Sequence, residues 1–213
     1  MEADSSDPFK GLARLALAVP LSLSTTALER CEIYVTTLLL WRQRLALTAA
    51  ATPRSIVLDH VLDSLYVAPF VKPLARVADI GSGAGFPGIP LAIVCPQACF
   101  VLIESRRKKA NFLREVARKA QLANVEVVEQ RAEALGADSQ NAFDVVISRA
   151  LGPVRELLVL AGPLLKRDGV AIAMKGPKGR AENANDPGFA AAGIVEYRLP
   201  SGAQHLLLVF RKR

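Results

Sequence analysis

The sequence predicts an α/β fold in which a mixed sheet of seven strands, mainly parallel, is covered by helices and preceded by a helical N-terminal extension. Two observations carry this prediction. From residue 76 onward, short β-branched segments alternate with segments of helical period, the order that produces a parallel sheet with both faces covered. Before residue 70, apolar residues recur at helical spacing. We therefore expect an extension over residues 1–70, packed on the core, and a sheet domain over residues 71–213.

The first helix of the extension is predicted near Thr26, because Thr26-Ala-Leu-Glu29 has the form of a capping box. A second helix is predicted after Pro53, and it would carry His60. Pro69 and Pro73 then end the helical region. Apolar residues at spacings of three and four predict the buried face of the first helix: Leu28, Cys31, Val35, Leu38, Trp41 and Leu45.

Five parallel strands are predicted in the sheet domain, over residues 76–80, 100–104, 125–129, 143–148 and 170–175. Three helices are predicted between them, over residues 88–95, 106–121 and 154–166. The segments 195–199 and 205–210, separated by a Pro-Ser-Gly turn, predict an antiparallel hairpin that supplies two further strands. A parallel sheet completed by an antiparallel strand pair is the layout of the class I methyltransferases.

Composition narrows the class of protein and of partner. With 51% hydrophobic and 22% charged residues among 213, the chain is neither disordered nor a coiled coil. Its net charge of +7 arises in residues 71–213, which hold 21 Lys and Arg against 13 Asp and Glu. A basic body of this kind favours a polyanionic partner, and nucleic acid is the natural candidate because its binding releases counterions. A solvated surface is the alternative explanation.

The cysteines and the N-terminal segment indicate the compartment. Three cysteines are too few for a disulfide scaffold, and Cys95 and Cys99 lack the further ligands of a metal site, so we expect reduced thiols and no metal. The apolar stretch from Leu12 to Leu23 contains Arg14 and Pro20 and is too short to span a membrane. The residues before it are acidic, unlike those of a secretory signal. We therefore expect a cytoplasmic monomer with no membrane partner.

A glycine-rich segment joins the first predicted strand to the first helix of the sheet domain, and two enzyme classes compete for it. From Gly83 to Gly88 it matches a dinucleotide fingerprint, with Glu104 near the distance expected of a ribose carboxylate. From Asp79 to Gly85 it matches the loop of S-adenosylmethionine (SAM) enzymes, with the first glycine directly after the strand. The second interpretation is favoured, because Pro87 removes an amide that a pyrophosphate would need.

Carboxylates follow the next two strands. Glu104 ends the second strand, where it would accept hydrogen bonds from both ribose hydroxyls of the cofactor. Alternatively, it is a helix N-terminal carboxylate beside a capping Ser105. Ala132 and Glu133 follow the third strand, where an adenine edge would meet backbone and side-chain groups. A surface ion pair is the alternative explanation of Glu133.

These motifs stand in an order that resembles one known family. The string Asp-Ile-Gly-Ser-Gly-Ala-Gly-Phe-Pro-Gly-Ile-Pro occupies residues 79–90, and Ile-Glu-Ser, Ser-Arg-Ala and Lys-Gly follow at 103–105, 148–150 and 175–176. His-Val-Leu-Asp-Ser precedes them at 60–64. Together they resemble the ribosomal RNA small-subunit methyltransferase G family, also called glucose-inhibited division protein B, over about residues 20–213. The resemblance implies a class I SAM-dependent methyltransferase that acts on N7 of a specific guanine in 16S ribosomal RNA, as free RNA or as the ribosomal particle.

The resemblance also implies roles for individual residues. Arg149 and Lys175, at the ends of the fourth and fifth strands, and His60, at the mouth of the site, would lie near the methyl group and the target nucleotide. One departure is visible, because Ala46 replaces an asparagine that the family usually has, and with it one polar contact. The cofactor would be held by Asp79, Gly81, Ser82, Gly83, Gly85, Phe86, Glu104, Ala132, Glu133 and Arg149.

The residues suit methyl transfer to guanine N7. That nitrogen has a free lone pair and no proton, so the reaction needs alignment and electrostatics rather than a general base. The chain lacks the Asn-Pro-Pro-aromatic string used on exocyclic amines and the Pro-Cys motif of C5-pyrimidine enzymes. Methylation makes the guanine ring cationic. Arg149 is therefore expected to clamp a phosphate or guanine O6 rather than to stabilise the methylated base by its charge.

Each of these side chains also has a purely structural explanation. Arg149 could instead form a salt bridge with Asp144 or Glu133. Lys175 could be a solvated residue at the end of a strand, and His60 a packed or capping helix residue. Three alternatives to an rRNA methyltransferase stay open: a SAM methyltransferase for a small molecule, a non-catalytic RNA-binding protein with a SAM pocket, and a nicotinamide enzyme.

The predicted helix over residues 106–121 is strongly basic. Phe112, Leu113 and Val116 are expected to face inward, leaving the Arg and Lys side chains outside. These cations form a candidate surface for RNA phosphates, although some of them are ordinary solubilising charge.

Overall fold

The computed structural model describes residues 23–42, 44–50, 52–149, 151–182 and 184–213. Most of the apolar stretch from Leu12 to Leu23 lies outside the described residues, as does Ala150 of the Ser-Arg-Ala motif. Within these ranges, no helix is long and apolar enough to cross a membrane. Across the same ranges, no group of three or more His, Cys, Asp or Glu side chains is arranged to hold a metal ion.

Helices and strands alternate along the sheet domain. The helices are α1 (Thr25–Arg42), α2 (Pro53–Ile56), α3 (Leu62–Leu65), α4 (Gly88–Val94), α5 (Arg107–Lys119) and α6 (Val154–Leu164). The strands are β1 (Arg76–Ile80), β2 (Cys99–Ile103), β3 (Val125–Val128), β4 (Phe143–Arg149), β5 (Leu165–Lys175), β6 (Phe189–Arg198) and β7 (Gln204–Lys212). Short 3-10 helices cover Ala68–Phe70, Ala132–Ala134, Ala137–Ser139 and Pro177–Ala181.

In the described part of the chain, seven strands form one sheet in the order β3-β2-β1-β4-β5-β7-β6. Strands β1 to β5 are parallel, whereas β7 runs antiparallel to both β5 and β6. The predicted mixed sheet with a terminal hairpin is therefore confirmed. The strand order reverses between β1 and β4, and open α/β sheets bind ligands at the carboxyl ends of strands at such a switch point.

Two strands begin five or more residues before the predicted position, whereas the other strand boundaries differ by at most two residues. β5 begins at Leu165 rather than at Val170, because Leu165 already pairs with Phe143 across an irregularity in the register with β4. β6 begins at Phe189 rather than at Val195. The first half of β6 consists mostly of small, exposed residues, so it lacks the alternation of apolar and polar residues by which a strand is recognised.

Successive side chains of the central strands enter two separate cores. Val77 and Val145 pack in the core that also contains residues of α1, α4 and α5. Ala78 and Val146, one position along the same strands, pack in the core that contains α6. This alternation follows from the pleat and explains why β1 and β4 are buried on both faces. The treatment of residues 1–70 as a separate extension stays a prediction.

Helix α1 is capped by Ser24, so the predicted capping box at Thr26 is wrong. The Ser24 Oγ accepts a hydrogen bond of 3.1 Å from the amide of Ala27. A capping box does occur at α2, where Thr52 Oγ1 accepts from the Ser55 amide and Ser55 Oγ contacts the Thr52 amide. Of the predicted apolar face of α1, the fully buried members are Cys31, Val35 and Leu38.

Tyr34 of α1 was not singled out from the sequence, yet it supports the glycine-rich segment. Its side chain is fully buried, and its hydroxyl donates a 2.7 Å hydrogen bond to the carbonyl of Ala84. Burial raises the pKa of this hydroxyl well above its usual value, so it remains a donor at any working pH. The helix and the segment are therefore held together by a buried bond that joins distant parts of the chain.

Substituting Tyr34→Phe is expected to lower the free energy of unfolding by about 1–3 kcal/mol, because the Ala84 carbonyl stays buried and loses its donor. Urea unfolding of both proteins measures the difference. Tyr66→Phe is the matched control, since the Tyr66 hydroxyl has no hydrogen-bond partner within the described residues. An equal change in the two variants would contradict the proposed support.

Candidate active site

The glycine-rich segment after β1 forms a tight loop at the carboxyl edge of the sheet. Gly81 follows the strand directly with φ of +71°, and Gly83 and Gly85 also have positive φ, at +55° and +93°. Residues other than glycine rarely adopt a positive φ, which explains why glycine occupies these three positions. Ser82 is buried, and its hydroxyl donates to the Asp79 carbonyl at 2.8 Å. The predicted register, with the first glycine directly after the strand, is the one found.

Asp79 is almost completely buried at the end of β1. One carboxylate oxygen, Oδ2, accepts a 3.1 Å hydrogen bond from the amide of Gly88. The other, Oδ1, is buried and has no hydrogen-bond partner within the described residues. Burial raises the pKa of Asp79 to about 7, although the hydrogen bond from the Gly88 amide opposes the shift. A buried acceptor without a partner indicates that a donor is still to be supplied.

Glu104 anchors the loop to the start of α5. Its Oε2 accepts from the amide of Gly83 at 3.0 Å, and its Oε1 accepts from the amide of Arg106 at 2.8 Å. The side chain is only 6% exposed. Ser105 does not cap α5, because Arg106 occupies the N-cap position and no side chain bonds there. Each carboxylate oxygen can accept a second hydrogen bond, so these contacts leave capacity for a ligand.

Phe86 connects the loop to the neighbouring strand and helix. Its ring lies 5.4 Å from the ring of Tyr34 and 5.0 Å from the imidazole of His60. The guanidinium carbon of Arg149 lies 4.9 Å above the same ring, a cation–π distance. The glycine loop therefore contacts two of the residues predicted near the target nucleotide.

Arg149 forms a salt bridge, but not with a predicted partner. Its Nη1 donates to Oδ2 of Asp63 at 3.1 Å. Asp144, by contrast, accepts from the amide of Arg76 and from Lys166 at the other end of the sheet. The alternative explanation, a salt bridge of Arg149 with Asp144 or Glu133, is therefore wrong. The chain before β1 brings Asp63 to the carboxyl end of β4, where it pairs with Arg149 instead.

His60 lies in a π-helical turn (Val57–Val61) between α2 and α3, a distortion often found at functional sites. Its Nε2 lies 3.0 Å from the Thr48 hydroxyl, and its Nδ1 lies 3.2 Å from Nη2 of Arg149. Nδ1 also lies 2.9 Å from the Asp59 carbonyl, so it either donates to that carbonyl or accepts from Arg149, according to the tautomer of the ring. Burial and the Arg149 charge lower the pKa of His60, so the ring is neutral at physiological pH.

Asp63 is the centre of a polar cluster that the sequence did not reveal. This carboxylate is 1% exposed. Besides Arg149, it accepts a 2.6 Å bond from the Tyr197 hydroxyl and contacts Nδ1 of His205 at 2.7 Å. The bond to Asp63 raises the pKa of His205 despite its partial burial. Tyr197 also stacks on Tyr66, with ring centroids 3.8 Å apart. We call Asp63, Arg149, Tyr197 and His205 the Asp63 cluster.

A cavity of about 390 Å³ opens beside the Asp63 cluster. Lys175 lines it, but its amine is already bound to Glu182, at 3.0 Å, and to the Gly152 carbonyl. Lys175 is thus a largely buried wall residue rather than a solvated strand end. The cavity is lined by Asp59, His60, Asp63, Arg149, Met174, Lys175, Gly176, Leu199, Ala203 and His205.

The structure does not bring every predicted residue to this cavity. His60, Arg149 and Lys175 meet there, and Asp79 and Glu104 lie at the glycine loop. Ala132 and Glu133 stand on a 3-10 helix after β3, and Glu133 lines a separate shallow cavity beside α6. Their proposed contact with an adenine stays a prediction.

Comparison with protein families and with curated proteins gives a consistent match. Residues 27–207 match the family described as rRNA small subunit methyltransferase G. Ribosomal RNA small subunit methyltransferase G of Xylella fastidiosa (strain M23) is 43% identical over 183 residues, covering 84% of this chain and 84% of that protein. The protein of the same name from Syntrophotalea carbinolica is 38% identical over 210 residues, covering 95% and 97%.

Solved structures with a similar fold are methyltransferases of low sequence identity. A predicted O-methyltransferase from Agrobacterium tumefaciens has a TM-score of 0.61 at 23% identity, covering 70% of this chain and 80% of that one. A SAM-dependent methyltransferase from Aquifex aeolicus has a TM-score of 0.57 at 18% identity, covering 75% and 93%. TYW2 from M. jannaschii in complex with AdoMet has a TM-score of 0.55 at 20% identity, covering 72% and 76%. These likenesses establish the class I methyltransferase fold.

Proposed function

The chain belongs to the rRNA small subunit methyltransferase G family, and we propose that it transfers a methyl group from SAM to N7 of one guanine in 16S ribosomal RNA. The observation that carries this proposal is the contact of Phe86 with both Arg149 and His60. Because Phe86 belongs to the glycine loop, this contact supports a methyl donor bound at the loop and a target guanine bound next to it in the cavity. The enzyme would act as a monomer, since the proposed site needs residues of one chain only. It would act in the cytoplasm, where its proposed ribosomal substrate is found.

The glycine loop suits SAM in three respects. Its bare backbone at Gly81, Gly83 and Gly85 allows a ligand to approach closely. Asp79 offers a buried carboxylate oxygen without a partner, which a cationic donor group would satisfy directly or through water. Glu104 retains acceptor capacity for ribose hydroxyls. We assign cofactor binding to these residues together with Ser82, Phe86, Ala132, Glu133 and Arg149.

The residues at the cavity align reactants rather than move protons. SAM, when bound, supplies a methyl group on a positively charged sulfur, and guanine N7 attacks it with a lone pair and loses no proton. A general base is therefore unnecessary, and the lowered pKa of His60, which makes its ring a weak base, agrees with that requirement. Arg149 keeps N–H groups beyond those that face Asp63 and His60, and we assign them to O6 or a phosphate of the target nucleotide. Lys175 shapes the wall of the cavity.

The proposal is tested by transfer of labelled methyl from SAM to small ribosomal subunits that lack the modification, followed by nucleoside analysis. Free 16S RNA and a reaction without RNA run beside it. Label in 7-methylguanosine is the expected result and establishes donor, acceptor and atom together. Absence of transfer with SAM still bound would overturn the ribosomal assignment and favour a small-molecule substrate or a binding protein. Absence of SAM binding would overturn the assignment of the loop.

Affinity for SAM is expected to fall by up to about tenfold between pH 8 and pH 6, because the Asp79 carboxylate must lose its proton to hold a cationic ligand. The pKa of about 7 sets the range: the charged form predominates above it and is lost as the pH falls through it. Calorimetric titration at several pH values measures this. Asp79→Asn should bind weakly with a flatter pH profile, and Asp144→Asn, whose carboxylate lies at the opposite end of the sheet, should keep the profile of the parent protein.

Arg107 and Lys108, on the exposed face of α5, are expected to contact RNA phosphates. Neither forms a salt bridge in the described residues, whereas Arg118 and Lys119 on the same helix both pair with Glu115. Replacing the first two with alanine should weaken binding of the small subunit and lower the salt slope of log affinity by about 1–2. The same change at Arg118 and Lys119 is the control. A larger loss in the control would reverse the assignment.

A further inference from the structure

The Asp63 cluster joins three distant parts of the chain at one carboxylate. Asp63 comes from α3, Arg149 from the end of β4, and Tyr197 and His205 from the β6–β7 hairpin. Oδ1 accepts from the hairpin residues, which leaves Oδ2 for Arg149. A carboxylate that is 1% exposed therefore holds one permanent cation on Oδ2 and two hairpin donors on Oδ1.

Arg149 is consequently held from three sides. Asp63 fixes Nη1, His60 lies 3.2 Å from Nη2, and the Phe86 ring lies beneath the guanidinium plane at 4.9 Å. If Tyr197 or His205 lost its bond, Oδ1 of Asp63 would regain one acceptor position, and both oxygens could then accept from Arg149. The guanidinium would then be drawn away from the cavity and toward Asp63. The hairpin donors therefore determine how much of Arg149 remains available to a ligand.

We propose that Asp63, Tyr197 and His205 are positioning residues that hold Arg149 toward the target nucleotide during methyl transfer. This inference rests on the proposed function and names residues to which that function had given no role. Charge supplies a second reason for the arrangement. The guanine becomes cationic as it accepts the methyl group, so an uncompensated Arg149 at short distance would oppose the reaction. Asp63 compensates that charge while leaving the N–H groups as donors.

A purely structural role explains the cluster less well. Taking a charged pair out of water costs much of what the pairing returns, so buried ion pairs add little net stability. Asp63, Arg149 and His205 of the cluster line the cavity itself. His205 and Tyr197 also line a second cavity, whose walls include Arg180 and Arg198. A cluster at the junction of two cavities is better placed to position a ligand than to stabilise the fold.

The test compares His205→Ala with His205→Asn, because the asparagine amide can donate from nearly the position of Nδ1, whereas alanine cannot. Tyr197→Phe removes the other donor and keeps the ring that stacks on Tyr66. His205→Ala and Tyr197→Phe should each lower kcat on small subunits about tenfold at saturating SAM, with the Kd for SAM changed less than about twofold. His205→Asn should recover most of the loss. Gln204→Ala, on the same strand, should retain the kcat of the parent enzyme.

Two kinetic outcomes would overturn the inference. One is a kcat within twofold of the parent in His205→Ala. The other is a loss of kcat that follows the midpoint of thermal unfolding across the variants and is not recovered by His205→Asn. A spectroscopic measurement separates this inference from the proposed function. The 15N resonances of the Arg149 guanidinium, measured by NMR without any substrate, should shift in His205→Ala as the guanidinium turns toward Asp63, and should return toward those of the parent in His205→Asn. If the parent enzyme fails to methylate small subunits, that change still supports the positioning, and its absence refutes it.

Discussion

Replacing Gly88 with alanine should destabilise the protein by about 3 kcal/mol and abolish measurable SAM binding. Gly88 begins α4 at the point where the helix passes over β1 and β2. A Cβ there would lie 2.3 Å from Cδ2 of Leu102 and 2.7 Å from Oδ2 of Asp79. Leu102 is fully buried, so it cannot move aside without disturbing the core. Any outward shift of α4 would also break the bond from the Gly88 amide to Asp79.

Thermal unfolding and SAM titration measure the two effects of Gly88→Ala. A destabilisation of that size corresponds to a fall of about 6–12 °C in Tm for a domain of this length. Gly136→Ala is the matched control, because a Cβ at Gly136 would meet no atom within 4 Å and its φ of −71° suits alanine. A Gly88 variant as stable as the Gly136 variant would show that the helix start has room to adjust.

Replacing Arg149 with alanine should lower kcat/KM for methyl transfer to small subunits by about 100-fold or more. The variant loses the donor proposed for the target nucleotide and leaves the Asp63 carboxylate with only the hairpin donors. Part of the effect will be structural, since removal of one partner of a buried pair costs about 3–5 kcal/mol. Arg149→Lys retains the charge but not the planar fork, so it should recover stability better than activity.

Activity assays at equal fractions of folded protein separate these contributions. Arg167→Ala is the control, because Arg167 is exposed at the amino end of β5, remote from the cavity. We expect it to retain the activity of the parent enzyme. If Arg149→Lys were as active as the parent, a point charge would suffice and the bidentate role of Arg149 would have to be abandoned.

The sheet and the glycine loop were predictable because their signals are local. A strand such as β1 shows its period over five residues, and Asp79 and Gly81 follow it directly. The starts of β5 and β6 were missed because polar residues near Asp168 and small residues before Gly193 hide the alternation. Family resemblance, rather than periodicity, supplied the roles of Arg149 and Lys175.

The partners within the site were not predictable from spacing. The alternative structural explanation of Arg149 was a pair with Asp144 or Glu133, but a carboxylate in the helices before β1 lies nearer in space. The same reason hid Tyr197 and His205, since no periodic pattern reports a contact between a helix and a remote hairpin. Ser24 and Thr26 are both hydroxyl residues near a helix start, and only the helical register distinguishes the cap.

The Asp63 cluster has a consequence for the order in which the enzyme matures. Asp63 and His205 are 142 residues apart in the chain, and Tyr197 is 134 residues from the same carboxylate. During synthesis at ~5–20 residues per second, the carboxylate therefore waits on the order of ten seconds for its hairpin donors. Contacts of such separation form late in folding. A nascent chain can complete the glycine loop early, but the Asp63 cluster is assembled only when the last hairpin has been made, so the proposed cofactor site is built before the cavity for the target nucleotide.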